Sequence, residues 1–381
     1  MPVSGQVQNP VPLLPEDNNG VLVEFNAVPS GGDKSSNGSL VLGIGTGSNN
    51  TPPGSYKAGV IPLDQYLDFT TVLNYNPKVK YTTSFIDTGS NGLFFPQVSA
   101  NNPQVCSDAP GWYCPEPAFS NAATLDENGG SQSVTVNFSV ESFDSLAKTG
   151  NNVFSNIGGT ASDGNTFDWG LPYFLGQDVF IAISGAATSL GTGPYFASGL
   201  YNGSQPSGDN VMPISVNGYT GLPNVYYDKP LVSVTVCTPG TNTCKTVDGI
   251  LLDTGSFGLR IFKQALNVLS LTPETTSLGG QLAECQQYAD GTADWGPVEL
   301  ADVQLGGEPV IHNMPIQVID PTFEGSANCN GGTNLDSSPS VDGYNAILGV
   351  GSFQQDCGTR CANANNITPL NRSNWPYWSC K

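Results

Sequence analysis

The sequence predicts an all-β chain built from two similar halves, and three observations lead to this prediction. The 381 residues include 46 Gly and 29 Pro, and only 12% of them are charged. Long Glu- and Lys-rich segments typical of helices are absent, so short strands joined by many turns are expected. The tetrapeptide Asp-Thr-Gly-Ser occurs twice, each time after an apolar run, beginning at Asp87 and at Asp253.

The first half is expected to consist of strands that lead to Asp87 and follow it. Runs rich in Val, Ile, Thr and aromatic residues, bounded by Gly, Pro, Asn and Ser, indicate strands. Ser133–Val140 alternates with period two, as a half-buried strand does. Together the predicted strands of this half cover residues 21–25, 39–43, 70–74, 81–86, 133–140 and 178–183.

The second half follows a Gly- and Ser-rich linker. The predicted division is a first lobe over 1–197, a linker over 198–210 and a second lobe over 211–381. A hairpin of residues 231–237 and 246–252 leads to Asp253, and residues 286–292 form the tip of another hairpin. The remaining predicted elements are one short helix at 262–269 and strands at 298–305, 314–319 and 344–351.

The duplicated tetrapeptide points to paired carboxylates. Each apolar strand delivers an aspartate to a Gly-permitted tight turn, where backbone N–H groups can hold the carboxylate. If the two turns face each other, Asp87 and Asp253 cannot both ionise, so they share a proton and can act as base and acid. The alternative is that both are ordinary strand-end turns, because Asp, Thr, Gly and Ser are all common turn formers. Turn chemistry does not explain the duplicated apolar lead-in.

Nine cysteines indicate an oxidising compartment. Their spacing predicts four disulfides and leaves Cys380 without a partner. Metal ligation is the competing interpretation, but His312 is the single histidine and no Cys-x-x-Cys occurs, so neither a metal nor a cofactor is expected. The predicted pairs are Cys106–Cys114, Cys237–Cys244, Cys285–Cys329 and Cys357–Cys361.

The charge excludes some partners. A formal net charge of −20 argues against nucleic acid and anionic membranes. No run of 18 apolar residues exists, so no membrane span is expected. The first five residues carry no basic and apolar signal-peptide pattern. We therefore expect a secreted or periplasmic protein whose export signal is absent from this chain.

The chain resembles pepsin-like aspartic proteases, in which each of two lobes gives one catalytic Asp. The resemblance implies a bilobal double barrel with a cleft between the lobes. In that family a hairpin called the flap carries a tyrosine, and here the phrase containing Tyr288, Asp290 and Gly291 is similar to it. This phrase follows Asp253, whereas no tyrosine follows Asp87 at the equivalent distance.

The flap position implies that the lobes are in circularly permuted order. The lobe with Asp87 resembles the pepsin C-terminal lobe, and the lobe with Asp253 resembles the N-terminal one. The Leu-x-x-Pro pattern after Asp87 disagrees, because it matches the N-terminal lobe better. Several phrases also resemble a family of exported bacterial pepsin-like proteins, in which Tyr-x-Ser-Cys (here 377–380) is followed by another cysteine and then by Gln-Val-Gln-Asn-Pro (here 6–10). A chain cut between those two phrases explains the unpaired Cys380.

The resemblance implies an aspartic endopeptidase acting on peptides or proteins at acidic pH, as a monomer. Asp87 and Asp253 would activate one water, and Tyr288 would close over the substrate. Three departures count against this: Ala289 replaces the usual flap glycine, no tryptophan follows either motif closely, and no propeptide is visible. The alternative is a catalytically silent pepsin-like module that binds peptides or other ligands, or packs into an extracellular assembly. The dyad support implied by the resemblance comprises Thr88, Gly89, Ser90, Thr254, Gly255 and Ser256.

Overall fold

The structure is a computed structural model of the chain. It describes residues 2–75, 78–128, 130–161, 163–201, 203–217, 221–222, 227–276, 279–358 and 376–380. Within these ranges most regular structure is β, and the longest α-helix, Phe143–Ala147, has only five residues. The all-β prediction is therefore confirmed.

The strands divide between the two halves much as the sequence pattern predicts. The strands of the first half are β1 (Gly20–Phe25), β2 (Ser36–Leu42), β3 (Val60–Pro62), β4 (Phe69–Leu73), β5 (Val79–Ile86), β6 (Leu93–Phe94), β7 (Phe119–Asp126), β8 (Ser133–Val140), β9 (Gly158–Gly159), β10 (Asp168–Trp169), β11 (Gln177–Ala182) and β12 (Tyr195–Leu200). Those of the second are β13 (Val211–Val216), β14 (Pro230–Cys237), β15 (Cys244–Asp253), β16 (Phe257–Phe262), β17 (Thr272–Pro273), β18 (Gln281–Gln287), β19 (Ala293–Leu305), β20 (Ile311–Ile319), β21 (Ala346–Val350) and β22 (Tyr377–Cys380).

Helices are short and connect strands. The helix expected over 262–269 is instead a 3₁₀ turn at Lys263–Leu266, followed by Asn267. Only Ala265 and Leu266 of this turn are buried, so a longer helix would gain no further apolar packing from this turn. The other α-helices are Leu171–Phe174 and Pro339–Asp342, and the other 3₁₀ helices are Val3–Gly5, Val11–Leu13, Gly54–Gly59, Ser326–Asn328 and Asn330–Gly332.

Each half contains the same three-strand arrangement around its Asp-Thr-Gly-Ser turn. In the first half β10 lies between β5, to which it is parallel, and β6, to which it is antiparallel. In the second half β21 lies in the same way between β15 and β16. The Asp-Thr-Gly-Ser turn connects the two outer strands, β5 to β6 in the first half and β15 to β16 in the second. Each turn therefore passes over the end of the middle strand, β10 or β21.

The second half closes into a barrel, and seven strands of the first half form a separate sheet. The pairings β14–β15–β21–β16–β20–β19–β14 form a ring that encloses Val234, Leu252, Leu259 and other buried residues. The first-half sheet has the order β8-β7-β4-β5-β10-β6-β9. Its core is aromatic, with the rings of Phe95 and Phe167 stacked at a centroid distance of 4.7 Å. The barrel of the second half and the seven-stranded sheet of the first half are together consistent with an all-β fold of barrel-like sheets.

A shared sheet joins the halves. The second-half strand β13 pairs antiparallel with β2, which continues through β1 and β11 to β12. Strand β12 extends through Leu200, three residues into the predicted linker, because its backbone pairs with β11 as far as Gln177. The connection to β13 is held by the Asn49 side chain, which donates to Ser207 O at 3.0 Å. Leu200 is 87% exposed, so this connection begins at the surface.

The two end segments of the described chain meet. The backbone N–H of Val7 donates to the Tyr377 hydroxyl at 2.7 Å, and the Gln6 amide donates to Gly358 O at 2.7 Å. Val7 and Tyr377 also share one buried apolar cluster. The permuted order predicts that Met1 lies near Cys380, but Met1 lies outside the described residues.

Three of the four predicted disulfides are confirmed. Cys106–Cys114, Cys237–Cys244 and Cys285–Cys329 have Cα separations of 4.8, 3.9 and 5.3 Å, all below the limit of about 7 Å beyond which two cysteines cannot be bridged. Cys361, the predicted partner of Cys357, lies outside the described residues. The multiple disulfides fit an extracellular or periplasmic protein. In the described part of the chain, no helix has the length and apolar character needed to cross a membrane.

Thiol titration of the unfolded, unreduced protein is expected to find one free thiol. The reason is that Cys380 is unpaired in the structure, where its Sγ donates to Glu324 O at 3.4 Å, while the other cysteines are predicted to pair. A Cys380→Ser variant should titrate to zero and serves as the control. Three or more thiols per chain would show that the predicted fourth disulfide does not form.

Candidate active site

The two aspartates emerge at equivalent points of the two halves. Ile86, the last residue of β5, pairs with Trp169, and the Asp87 N–H donates to Trp169 O at 3.0 Å. On the other side Asp253 ends β15 opposite Gly349. A Cβ on Gly349 would lie 2.5 Å from the backbone nitrogen of Phe257, so only glycine allows the turn to pass this closely.

Two threonines bind the turns to each other. The Thr88 N–H donates to Thr254 Oγ1 at 3.0 Å, and the Thr254 N–H donates to Thr88 Oγ1 at 3.1 Å. Each hydroxyl then donates across the interface, Thr88 to Leu252 O at 2.7 Å and Thr254 to Ile86 O at 3.4 Å. Since each bond joins one half to the other, these four bonds fix the position of Asp87 relative to Asp253.

Each carboxylate is held by its own turn. Asp87 Oδ1 accepts from the Gly89 N–H at 2.7 Å, and Asp87 Oδ2 accepts from Ser90 Oγ at 2.7 Å. In the second turn the Gly255 N–H donates to Asp253 Oδ1 at 2.8 Å, and Ser256 Oγ donates to Oδ2. All four donors occupy the positions expected from the tetrapeptide.

The carboxyl groups of Asp87 and Asp253, hereafter the dyad, face each other. A Cβ on Gly89 would lie 3.0 Å from Asp253 Oδ1 and 3.1 Å from Asp87 Oδ1. The two carboxyl oxygens are therefore close enough for a single atom to contact both. A Cβ on Gly255 would lie 2.7 Å from Asp87 Cγ. Both glycines therefore leave room for the opposite carboxyl. Burial, and then the neighbouring Asp253 carboxyl with its hydrogen bond, raise the pKa of Asp87 well above its usual value.

A third carboxyl, which sequence reasoning missed, lies beside the dyad. Asp168 is only 6% exposed, its Oδ1 has no hydrogen-bond partner among the described residues, and its carboxyl is within hydrogen-bonding reach of Ser90. Burial raises its pKa to about 8, so this carboxyl is neutral at acidic pH. The strand register gives Asp168 the position that Ile347 has in the other half. The available signal was an aspartate inside an otherwise apolar Phe-Asp-Trp run.

The predicted flap is a hairpin over the same cleft. It is formed by β18 and β19, and its turn is closed by the Tyr288 N–H donating to Thr292 O at 3.0 Å. Gly291 has φ +87°, which the tight turn requires, and Asp290 accepts from the Thr292 N–H at 2.9 Å. Tyr288 is half-buried, and its hydroxyl donates to Asp294 at 2.7 Å. The hairpin of β7 and β8 in the first half contributes no described residue to the cleft.

The cleft has a volume of about 670 Å³ and brings together the dyad, Asp168 and the hairpin tip. Among the described residues that line it there is no Lys, Arg or His, so its charge is acidic. Aromatic and aliphatic side chains supply the rest of its wall, which suits the side chains of a bound chain molecule. The apolar wall residues are Phe85, Phe94, Trp112, Leu251, Tyr344 and Ile347.

Comparison with known proteins gives a family but no activity. The model of a family described as "Protein of unknown function (DUF3443)" matches residues 1–198 and 206–381. The unmatched residues 199–205 comprise the last two residues of β12 and the start of the connection to β13. No curated protein matches the chain.

Proposed function

We propose that this chain, which belongs to the DUF3443 family, is an aspartic endopeptidase that hydrolyses peptide bonds with water activated between Asp87 and Asp253. The observation that carries the proposal is the reciprocal pair of threonine hydrogen bonds, because it holds two carboxyls face to face at the floor of a cleft. A protein that only binds ligands has no need of two buried, mutually repelling carboxyls held this way.

The mechanism uses the dyad as one unit that holds one proton. The ionised carboxylate accepts a proton from water as the water oxygen attacks the peptide carbonyl carbon, and the other carboxyl donates its proton to the carbonyl oxygen. The gem-diol intermediate then loses its C–N bond: the nitrogen receives a proton from the protonated carboxyl, and one hydroxyl of the gem-diol returns its proton to the other carboxylate. The products are a carboxylic acid and an amine, and the dyad again holds one proton. Gly89, Ser90, Gly255 and Ser256 stabilise the ionised form by donating to it. Because the pair acts together, we assign no separate role to either aspartate.

The fold proposed with this function is a pepsin-like double barrel whose lobes are in circularly permuted order. Two features support that order. The hairpin that overhangs the dyad belongs to the half with Asp253, and the end segments of the chain meet at Val7 and Tyr377. We further propose that the protein acts outside the cytosol, on peptide or unfolded protein substrates, since its disulfides suit such a compartment.

Hydrolysis of an unfolded protein tests the proposal. Casein incubated with the purified chain from about pH 3 to pH 7 is expected to be cut, with new amino termini identified by mass spectrometry. Activity should fall at high pH, where the dyad loses its shared proton, and at very low pH, where both carboxyls are protonated. Asp253→Asn purified in parallel should be inactive. A wild-type protein that is inactive at every pH, or an equally active Asp253→Asn, would overturn the proposal in favour of a binding module.

A further inference from the structure

A second pair of buried carboxyls lies beneath the hairpin that carries Tyr288. Asp294 is the second residue of β19 and is fully buried, and Asp336 is 5% exposed. The backbone brings them together, because the Asp336 N–H donates to Ala293 O at 2.9 Å. The pair is distinct from the dyad, which lies on the turns after β5 and β15.

The two carboxyls are within reach of a hydrogen bond to each other once one of them is protonated. Two carboxylates cannot form this bond, because neither has a proton to donate, so the contact requires one proton between them. Asp294 Oδ1 is buried and accepts no hydrogen bond from any N–H or hydroxyl group of the described residues, which leaves it available to a protonated carboxyl. Burial is the main cause that raises the pKa of Asp294 to about 6 and that of Asp336 to about 9. The pair therefore retains a proton through neutral pH.

Each carboxyl also holds a tyrosine of the cleft wall. The Tyr288 hydroxyl donates to Asp294 Oδ2 at 2.7 Å, and the Tyr344 hydroxyl donates to Asp336 Oδ2 at 3.1 Å. Both tyrosines line the cleft together with the dyad. The carboxyl pair thus connects the flap tyrosine to a second tyrosine that lines the cleft.

The charged groups around the pair do not compensate a second negative charge. The charge of Arg260 on β16 lowers the pKa of Asp294, and that of Glu284 on β18 raises it. The charge of Asp342 raises the pKa of Asp336. Arg260 is the one cation among these groups, and it already pairs with Glu284 at 2.8 Å. Loss of the shared proton would therefore leave adjacent buried carboxylates that repel each other.

We propose that Asp294 and Asp336 are positioning residues, which share one proton and thereby hold Tyr288 and Tyr344 in place for peptide binding. This inference rests on the proposed peptidase function, but the shared proton can be tested without it. The folded protein binds this proton more tightly than the unfolded chain does. The pair therefore stabilises the fold at low pH, and its contribution decreases as pH rises toward the pKa of Asp336, about 9.

Thermal melting tests the shared proton. Asp336→Asn keeps a donor toward Asp294 and cannot ionise, so its melting temperature should fall less than that of the wild type between about pH 5 and pH 9, by about 3 °C or more. The melting temperature of Asp294→Asn should show the same smaller fall with pH, so the test does not depend on one variant folding. The exposed Asp248→Asn serves as the control and should follow the wild type. Parallel melting profiles for all four proteins would overturn the sharing of a proton.

Peptide kinetics at acidic pH test the positioning. Asp336→Leu removes the acceptor of Tyr344 and should raise KM about tenfold while kcat stays within about threefold, whereas Asp336→Asn should keep both near wild type. Tyr344→Phe, which loses the same hydrogen bond, should reproduce the rise in KM if Asp336→Leu does not fold. An unchanged KM in these variants would overturn the positioning role. A wild-type chain that cleaves nothing would overturn the peptidase function, and melting would still decide whether the proton is shared.

Discussion

Replacing either dyad aspartate by asparagine is expected to lower kcat for peptide hydrolysis by at least about a thousandfold. Asparagine keeps the oxygen that accepts from the turn N–H groups, so Asp87→Asn and Asp253→Asn should fold. Each variant keeps one carboxyl, which can be either ionised or protonated, so the base and the acid are no longer present together. The measurement is steady-state hydrolysis of a peptide that the wild type cuts.

The double variant separates this explanation from a general loss of structure. Because both carboxyls act on one water, the double variant should be about as inactive as either single one. Asp248→Asn is the matched control, since Asp248 is exposed on the same strand as Asp253 and its carboxylate accepts from the exposed Ser233 hydroxyl, a bond that an asparagine oxygen can keep. A dyad variant that retained a tenth of the wild-type kcat would exclude the two-aspartate mechanism.

Arg260→Met is expected to destabilise the protein by about 3–5 kcal/mol, the largest stability effect of any substitution proposed here. Arg260 is fully buried and pairs with Glu284 at 2.8 Å and with Asp356 at 3.2 Å. Removing the guanidinium leaves the buried acidic groups of Glu284 and Asp356 without a cation. Asp356 also accepts from the Tyr377 hydroxyl at 2.7 Å, so the contact between the end segments should weaken as well. Denaturant unfolding followed by tyrosine and tryptophan fluorescence measures the change.

Lys263→Met provides the comparison for that substitution. Lys263 makes a similarly short ion pair, 2.7 Å to Asp320, but its side chain is 66% exposed. Water already solvates this charge, so its loss should cost less than about 1 kcal/mol. Equal effects of the two substitutions would mean that burial does not control the strength of these pairs.

The repeated local patterns were predictable from sequence, and the groups buried by distant contacts were not. The Asp-Thr-Gly-Ser turns and the short-range disulfides depend on residues close in the chain, so their geometry follows from local spacing. Asp168 and Asp336 looked like ordinary loop or strand residues, because their burial depends on partners more than 40 residues away, such as Ser90 and Asp294. The barrel closure between β14 and β19 is likewise a long-range pairing that no local pattern encodes.

The reciprocal threonine bonds make the reactive centre a composite of two parts of the chain, with one carboxyl on each side of the interface. A small separation of the two Asp-Thr-Gly-Ser turns would break those bonds and move the two carboxyls apart, while the strands within each half stayed paired. Catalysis would then be lost at an earlier stage of denaturation than the β circular dichroism signal. Turnover by the proposed peptidase would therefore report whether the two parts are docked.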